Sequence, residues 1–492
     1  MRNNGRNGRG FKPLPRLAVI AALTLPLAAC DIDELLELPD PDIVDPAVFT
    51  DSTTAMNTFR NSAIGAFSVS FDAGGGDNQV NYSGMFADEF INSETFDTRI
   101  EIDLRSIEET NSDVQAVTRS LYRARTTIED GIRTFQRFSP GTSATDPGNV
   151  RRAELFALSS MVYMLFGEHY CSGVPFSRFE APGTFTYGGQ ETTEQIFTRA
   201  LNAADSAISI ASRVTPANAT STQFLNFGRV MRGRALLNLG RFAEAGAAVA
   251  AVPTSFAYIL THSENSGREN NAIFTFNFVA ERVSAANREG MNGLPYRTDF
   301  VAGDPRVPQT RRPNNTGFDR QTAQWDQLKY AGRTASTALA TGIEARLIQA
   351  EAQLRANNPD GMLETLNGLR ATPQQIFYNA APFPNNGTVL NTPVALTALT
   401  AAATEAGRVD QLFKERAYWM YLTAHRMGDL RRLVRQYGRS QANVFPTGAY
   451  HKSVQGGQYG TDVNFPVTVD ERGNPEFNGF PTNQSLCLNR NA

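Results

Sequence analysis

A helical hairpin between residues 222 and 253 constrains the fold of this sequence more than any other feature. Apolar side chains recur there at steps of three and four residues, which places them on one face of an α-helix. These positions are Phe224, Phe227, Met231, Ala235, Leu239, Phe242, Ala245, Val249 and Val252. Gly240 and Arg241 separate the two helical runs, and Pro253 ends the second, because proline has no N–H group to continue a helix. The segment predicts two helices joined by a tight turn.

The hairpin resembles a tetratricopeptide repeat, a unit of about 34 residues built from two helices. The resemblance lies in residues 235–242, which read ALLNLGRF. A weaker copy lies between Gly342 and Leu369, with a turn near Asn357. Because other sequence separates the two copies, we predict helical hairpins within a larger fold and not an uninterrupted solenoid.

Much of the remaining chain also shows helical patterns. The segments are Ser112–Phe138, Leu155–Phe166, Glu191–Ser212 and Gly407–Tyr437. The last of them is the longest, and Gly428 is expected to interrupt it. We therefore predict a mainly α fold in a single domain, 53–492, whose helical frame covers about 53–260 and 342–440.

Two long stretches, 261–341 and 371–406, are rich in Asn, Gly, Pro and Thr, and the first also in aromatic residues. Loops of this length inside a folded domain are usually functional or disordered. The apolar run Ile273–Val279 indicates a short strand within the first stretch. The C-terminal segment 441–492 is predicted to consist mostly of loops.

The first 29 residues have the organisation of an export signal. Five basic residues and no acidic one accompany the apolar run Leu17–Ala29, which is too short to span a membrane as a helix. Two alanines then precede Cys30, as in the lipobox of a bacterial lipoprotein. We predict that residues 1–29 are a lipoprotein signal peptide and that Cys30 becomes a lipidated N-terminus. An ordinary signal peptide with a chance cysteine is the alternative.

The segment 30–52 is acidic and contains three prolines, which predicts an extended, hydrated tether. Removal of the signal leaves 41 of the 46 basic residues against 49 acidic ones, so the formal charge of −3 becomes −8. This balance argues against nucleic acid as a partner.

Two cysteines remain in the mature chain, Cys171 and Cys487. In an oxidising, exported setting a lone pair is more often bridged than free, so we predict a disulfide that ties the C-terminal tail to the body. Two unrelated buried thiols are the alternative.

Motifs for catalysis, metal binding or cofactor binding do not emerge from the sequence. No HExxH, GxSxG, CxxC or phosphate-binding glycine loop occurs. The four histidines, His169, His262, His425 and His451, share no metal-ligand spacing. We therefore predict no catalytic residue, no metal site and no cofactor. Calcium held by loop carboxylates and carbonyls is the alternative left open, although no EF-hand pattern supports it.

Asp88 and Glu89 are the carboxylates that most invite a glycosidase interpretation. Such an enzyme needs two carboxyl groups about 5–10 Å apart across the scissile bond. Neighbouring residues on a helix or strand point apart, so we expect this pair to serve as a cap or in a buried ion pair. The charged residues of 415–432 are likewise expected to join helices and loops.

Several segments together resemble the RagB/SusD family of outer-membrane nutrient-binding lipoproteins. Besides the lipobox, they are Gly84–Glu89, Met164–Gly167, Gly173–Phe176, Asp304–Arg306, Gln327–Tyr330, Ile343–Leu354, Glu415–Trp419, His425–Arg432, Asn464–Val467 and Asn474–Pro475. Each is weak alone, and their order, spacing and company with a lipobox make the set more specific.

This resemblance implies tetratricopeptide-like hairpins that support a loop-built, SusD-like ligand site. It also implies a lipid-anchored protein of the outer membrane, facing the cell exterior, that passes an oligomeric nutrient to a SusC-like TonB-dependent transporter. Asp31 lies directly after the anchor, and in some other bacteria an aspartate at this position favours retention in the inner membrane. The sequence therefore does not decide which face of the outer membrane carries the protein. Glycan-binding members of the family often carry several tryptophans, whereas this chain has two, Trp325 and Trp419.

Trp419 lies in an apolar helical run and is expected in the core. Trp325 lies in a polar loop, where an indole beside amides and carboxylates suits a sugar that stacks on the ring and hydrogen-bonds its neighbours. We therefore name Trp325 as the first candidate for ligand contact. The weaker candidates are Tyr82, Phe96, Tyr296 and Phe318, from the same kind of segment.

The function that these observations favour is non-catalytic capture of an oligomeric nutrient, most simply an oligosaccharide, by a surface lipoprotein. A lipid-anchored helical-repeat scaffold that binds other proteins is the main alternative. An exported glycosidase is a more distant one.

Overall fold

A computed structural model of the chain describes residues 52–139, 147–181, 184–371, 396–453, 456–477 and 484–492. The predicted signal peptide, Cys30, nearly all of the tether and most of the second loop stretch lie outside these residues. The segment Asp51–Ala492 forms one compact unit. Within the part described, no helix combines the length and apolar character that crossing a membrane requires.

The fold is mainly α, as predicted. The helices are α1 (Ser52–Phe71), α2 (Gln79–Phe86), α3 (Asp97–Leu104), α4 (Ser112–Phe138), α5 (Pro147–His169), α6 (Thr193–Ala211), α7 (Ala219–Asn238), α8 (Phe242–Val249), α9 (Ala272–Phe274), α10 (Tyr296–Val301), α11 (Gly342–Arg355), α12 (Pro359–Ala371), α13 (Glu405–Trp419) and α14 (Arg426–Tyr437). Short 3-10 turns cover Gly267–Glu269, Gln441–Asn443, Val469–Gly473 and Pro475–Phe477.

The strands are short and pair in antiparallel twos. They are β1 (Phe90–Asn92), β2 (Val174–Pro175), β3 (Arg178–Ala181), β4 (Thr184–Thr186), β5 (Gln190–Glu191), β6 (Ala257–Leu260), β7 (Val283–Ala285), β8 (Gln309–Thr316), β9 (Ala323–Gln327) and β10 (Thr337–Thr341). The pairs are β1 with β7, β2 with β5, β3 with β4, β6 with β10, and β8 with β9.

Consecutive helices pack on one another from α5 to α8, and α8 then packs on α11 and α11 on α12. Both predicted hairpins are present, as α7–α8 and α11–α12. Side chains cap the starts of these helices: Asn218 accepts from the Ser221 N–H at 2.9 Å, and Thr341 accepts from the Glu344 N–H at 3.0 Å. Small residues let the hairpins approach, since a Cβ on Gly246 would lie 2.8 Å from the Cβ of Ala352.

The helical stretch predicted for Gly407–Tyr437 is broken earlier than expected. The break lies between α13 and α14, where Leu422 and Ala424 adopt left-handed φ angles of 53° and 60°. Remote side chains satisfy its backbone: Glu89 accepts from the Leu422 N–H at 2.8 Å, and His169 contacts the Ala424 carbonyl at 3.1 Å. Gly428 lies inside α14, so the prediction of a break there was wrong.

Two further predictions concern apolar segments. The run Ile273–Val279 is not a strand: α9 continues into a π-helical turn, Thr275–Val279, which lets Asn277 hydrogen-bond the carbonyls of Val283 and Trp325. Trp419 is buried in the core, as predicted. The segment 261–341 otherwise contains only short elements, and 441–453, 456–477 and 484–492 are mostly loop.

The sulfur atoms of Cys171 and Cys487 lie 2.04 Å apart, as the predicted disulfide requires. Cys171 follows α5, whereas Cys487 belongs to the C-terminal tail. Backbone contacts continue beside it, since the Leu488 N–H donates to the Ser172 carbonyl at 2.7 Å. The tail is thereby attached to the end of α5.

Candidate functional site

A cavity of about 460 Å³ opens among the loops that sequence reasoning assigned to ligand binding. We name it the Trp325 pocket. Its lining residues are Ile91, Asn287, Arg288, Glu289, Gly290, Met291, Arg297, Thr322, Ala323, Trp325, Thr447, Ala449, His451 and Tyr459. They come from β1, the segment between β7 and α10, the start of α10, β9 with the residue before it, and the C-terminal loops, so the site forms only when these distant parts of the chain meet.

Trp325 is half-buried and is held in place through its backbone. It lies on β9 opposite Arg311 of β8. Its N–H donates to the Ser284 hydroxyl at 2.9 Å, and its carbonyl accepts from the Asn277 amide at 3.1 Å. A ring fixed in this way loses little conformational freedom when a ligand binds, which favours affinity.

Arg297 stacks on the Trp325 ring, with its guanidinium carbon 3.6 Å from the ring centroid. It donates a hydrogen bond to the Ala285 carbonyl at 2.9 Å. Burial lowers the pKa of Arg297 to about 10, so it remains charged at neutral pH. Trp325 and Arg297 both line the cavity, and together they offer an aromatic surface next to hydrogen-bond donors.

Close packing fixes the opposite side of the cavity. Gly290 has a φ of 55°, and a Cβ at this position would lie 2.8 Å from the backbone N and O of Thr447. The Met291 N–H donates to the Thr447 carbonyl at 3.0 Å. The Met291 side chain is 80% exposed at the edge of the pocket, where a flexible thioether can adapt to a bound molecule.

Phe96 and Phe318 form an exposed aromatic pair, 48% and 46% accessible, with ring centroids 6.4 Å apart. The Arg282 guanidinium lies over both rings, at 4.9 and 4.2 Å. Asp319 connects this pair to the pocket, because it accepts from the hydroxyl of the lining residue Thr322 at 2.7 Å. The pair is therefore well placed to extend the binding surface beyond the pocket.

Tyr82 and Tyr296, the other two candidates, are fully buried, so their rings offer no surface to a ligand. Tyr82 donates to Asp77 at 2.5 Å and accepts from Arg99, whose guanidinium lies over Phe96. Tyr296 packs on Tyr418 and Tyr421 at the start of α10. Both act as supports beneath the surface, which corrects the expectation of direct contact.

Asp88 and Glu89 are buried and already occupied. Asp88 accepts hydrogen bonds from Arg426 Nε and Nη2, at 2.6 and 2.9 Å, and from the Leu294 N–H at 2.9 Å. Burial raises the pKa of Glu89 to about 8. Neither carboxylate reaches the cavity, so this pair supports the fold, as expected, and not acid–base chemistry.

A second, larger cavity of about 1010 Å³ lies between α1 and β6. Its walls contain the ion pair of Arg60 with Glu154, at 2.5 Å, and Glu154 also accepts from the Tyr258 hydroxyl at 2.7 Å. None of the candidate aromatic residues lines it. We therefore favour the Trp325 pocket, in which an aromatic ring lies beside the polar side chains of Arg297, Glu289 and His451.

Sequence reasoning missed Arg297, Glu289, His451 and Tyr459 as parts of the pocket. No local signal distinguishes them, because they lie in polar segments among many similar residues. Only the pairing of β1 with β7 and the course of the C-terminal loops bring them together.

The fold and the pocket define a class: a helical-repeat frame that carries a loop-built binding site. Comparison with known proteins shows which solved structures share this architecture. No family model and no curated protein matches the chain. Among solved structures, a SusD/RagB family protein from Bacteroides thetaiotaomicron is similar, with a TM-score of 0.60 and 15% identity over 86% of this chain and 94% of that chain.

Two other solved structures show the same likeness. Surface glycan-binding protein A from Bacteroides uniformis has a TM-score of 0.59 and 13% identity, over 86% of this chain and 97% of that one. A SusD homolog from Bacteroides thetaiotaomicron has a TM-score of 0.58 and 13% identity, over 90% and 97%. The chain therefore has the SusD/RagB fold, which confirms the fold that the sequence resemblance predicted.

Proposed function

We propose that this chain is a non-catalytic, lipid-anchored surface protein that captures an oligosaccharide and passes it to a SusC-like TonB-dependent transporter. The fold supports this proposal, since one similar structure is named as a surface glycan-binding protein. The observation that carries it is the stack of Arg297 on Trp325 in the wall of the pocket.

The chemistry of the pocket suits a sugar. A pyranose presents C–H groups on its faces and hydroxyls at its rim, so it pairs with an aromatic ring beside polar donors. The cavity of about 460 Å³ falls in the range of small-molecule sites, about 300–1,000 Å³. A longer chain can continue from the pocket onto the pair of Phe96 and Phe318.

Affinity electrophoresis in gels that contain a panel of polysaccharides tests the binding. We expect retardation by at least one glycan and weaker retardation of Trp325→Ala, by about 10-fold in affinity, since stacking on an aromatic ring contributes on the order of 1–3 kcal/mol. Phe185→Ala is the matched control, because Phe185 is an exposed ring that does not line the pocket. Equal losses in both variants would contradict the role of Trp325.

The alternatives predict different results. A scaffold would bind no glycan in this panel but would retain proteins, and a glycosidase would release reducing sugar. The location of the protein is tested separately: Cys30→Ala should release the protein from the membrane fraction into the periplasm. Co-purification of a TonB-dependent barrel with wild-type protein from its native membrane tests the proposed partner.

A further inference from the structure

Three potential metal ligands converge beside the Trp325 pocket. Asp103 comes from α3, Glu289 from the loop after β7, and His451 from the C-terminal segment. One ligand atom from each lies within 4.8 Å of the others. More than 150 residues separate each of them from the next, so no sequence motif could reveal the cluster.

The two carboxyl groups are buried, and one oxygen of each lacks a hydrogen-bond donor among the described residues. Asp103 Oδ2 accepts from the Asn92 N–H and the Tyr450 hydroxyl, both at 2.8 Å, and Glu289 Oε1 accepts from the Tyr459 hydroxyl. Asp103 Oδ1 and Glu289 Oε2 have no hydrogen-bond partner among the described residues.

Two buried carboxyl groups this close are stable only if a proton or a cation lies between them. Among the described residues, no Lys or Arg forms an ion pair or a hydrogen bond with either carboxyl group, whose partners are Asn92, Tyr450, Tyr459 and His451. Arg105 donates to the Gly460 carbonyl, and its Nε and Nη1 atoms hydrogen-bond to nothing in the described part of the chain. Lys452 forms its ion pair with Asp319, at 2.9 Å.

His451 is oriented as metal-ligating histidines usually are. Its Nε2 lies 2.9 Å from the Asn92 carbonyl, which can only accept, so Nε2 carries the proton. Nδ1 is the ring nitrogen left to face the carboxyl groups, and it lies 3.8 Å from Asp103 Oδ2. A carbonyl that fixes the tautomer from the far side of the ring is a common feature of metal sites.

We propose that Asp103, Glu289 and His451 bind a divalent transition-metal cation at the wall of the Trp325 pocket. An imidazole with two carboxylates suits Zn²⁺ or Mn²⁺ better than Ca²⁺ or Mg²⁺, which prefer oxygen ligands. Zinc–ligand distances of about 2.0–2.2 Å require the three atoms to draw together by roughly 1 Å or less. The half-buried His451 side chain can move that far.

The position of the cation gives it a role in the pocket. Glu289 and His451 line the cavity, so a cation between them is accessible to a bound molecule. Hydroxyl or carboxylate groups of that molecule can complete the coordination. This role depends on the proposed glycan function, whereas the metal site itself does not.

Isothermal titration of Zn²⁺ into metal-stripped protein tests the site. The chain from Asp31 to Ala492, without an affinity tag, is suitable because it contains the whole compact unit Asp51–Ala492. We expect one equivalent to bind, with a rise in Tm that depends on zinc concentration. Glu289→Gln and His451→Ala should each lower the affinity by about 10-fold or more.

His262→Gln is the matched control, because His262 lies beside a single carboxylate, that of Asp72 at 3.2 Å, and not beside two. It should bind zinc as the wild type does. If wild-type protein binds no zinc, Asp103 and Glu289 share a proton instead and the proposal fails. If all three variants bind zinc equally, the ion lies elsewhere on the surface, and the proposal fails as well. Circular dichroism checks that each variant is folded.

Discussion

Replacing Arg426 with methionine removes the positive charge that neutralises the Asp88 carboxylate. Both side chains are buried, 6% and 1% exposed, and the guanidinium donates two hydrogen bonds to the carboxylate. The pair joins α14 to the turn between α2 and β1, which are more than 300 residues apart in the chain. It therefore holds together two parts of the fold that border the ligand region.

The expected cost follows from the burial of the pair. Removing one partner of a buried ion pair leaves the other charge without compensation, which costs about 3–5 kcal/mol. Asp88 would keep its hydrogen bond from the Leu294 N–H, and Asp88→Asn in the Arg426→Met background would remove the stranded charge. The double variant should therefore be more stable than Arg426→Met alone.

The ion pair of Arg119 with Asp470 provides the matched control. It has similar two-pronged geometry, with distances of 2.8 and 2.7 Å, and it also links distant segments. Its side chains are 64% and 34% exposed, and exposed pairs contribute only about 0–1 kcal/mol. Arg119→Met should therefore change stability little.

Urea denaturation followed by circular dichroism measures these differences as changes in the free energy of unfolding, with the disulfide intact. We expect Arg426→Met to be less stable than Arg119→Met by about 2 kcal/mol or more. Equal costs for the two variants would refute the argument from burial. A double variant less stable than Arg426→Met would also refute it, since no uncompensated charge would then explain the loss.

Three further predictions concern stability. Glu89→Gln should flatten the dependence of the free energy of unfolding on pH. The pKa of Glu89 is raised to about 8 in the folded protein, so this group contributes its full stability below about pH 4.5 and loses that contribution as the pH rises through 8. An unchanged profile between pH 5 and 9 would contradict this. Replacing Cys171 and Cys487 with serine should lower the free energy of unfolding by about 2–5 kcal/mol in urea denaturation, since the disulfide closes a loop between residues 316 apart. A loss below about 1 kcal/mol would count against a stabilising disulfide. Gly342→Ala should lower the free energy of unfolding by about 1–3 kcal/mol, because its Cβ would lie 2.1 and 2.4 Å from two backbone carbonyl oxygens. At Gly368 an added Cβ would meet no atom within 4 Å, so Gly368→Ala should be neutral or slightly stabilising. Equal shifts in Tm for the two variants would contradict the packing argument.

The helical frame could be predicted from the sequence because its signals are local. The apolar spacing of 222–253 and the stop at Pro253 depend on neighbours within one or two turns. The break between α13 and α14 could not be predicted in the same way. Its backbone is satisfied by Glu89 and His169, which are remote in sequence, so the local pattern pointed to Gly428 instead.

The binding site was only partly predictable for a related reason. Trp325, Phe96 and Phe318 stand in polar segments, and the structure leaves all three at least partly accessible. Tyr82 and Tyr296 stand in similar segments but are buried, because residues from other parts of the chain contact them: Arg99 contacts Tyr82, and Tyr418 packs on Tyr296. Composition identifies a segment as loop, but it does not say which face of each residue the rest of the chain covers.

The residues that carried the family resemblance most strongly lie in the core and not in the pocket. Arg416 donates to Asp429 at two distances of 2.9 Å, and Arg432 bridges Asp429 to Glu351 of α11. Arg431 donates to the carbonyls at the end of α5. Because buried charges are costly unless each finds its partners, such a network favours one arrangement of the helices over others.

The pocket residues do not take part in this network. Of the residues that line the cavity, none is among the charged residues that join α5, α11, α13 and α14. A residue of the pocket such as Trp325 can therefore change without disturbing the contacts that define the frame. This separation explains why the resemblance predicted the fold well and left the ligand open: the matching segments describe the support, whereas the specificity that we propose depends on Trp325, Arg297 and the segments around them.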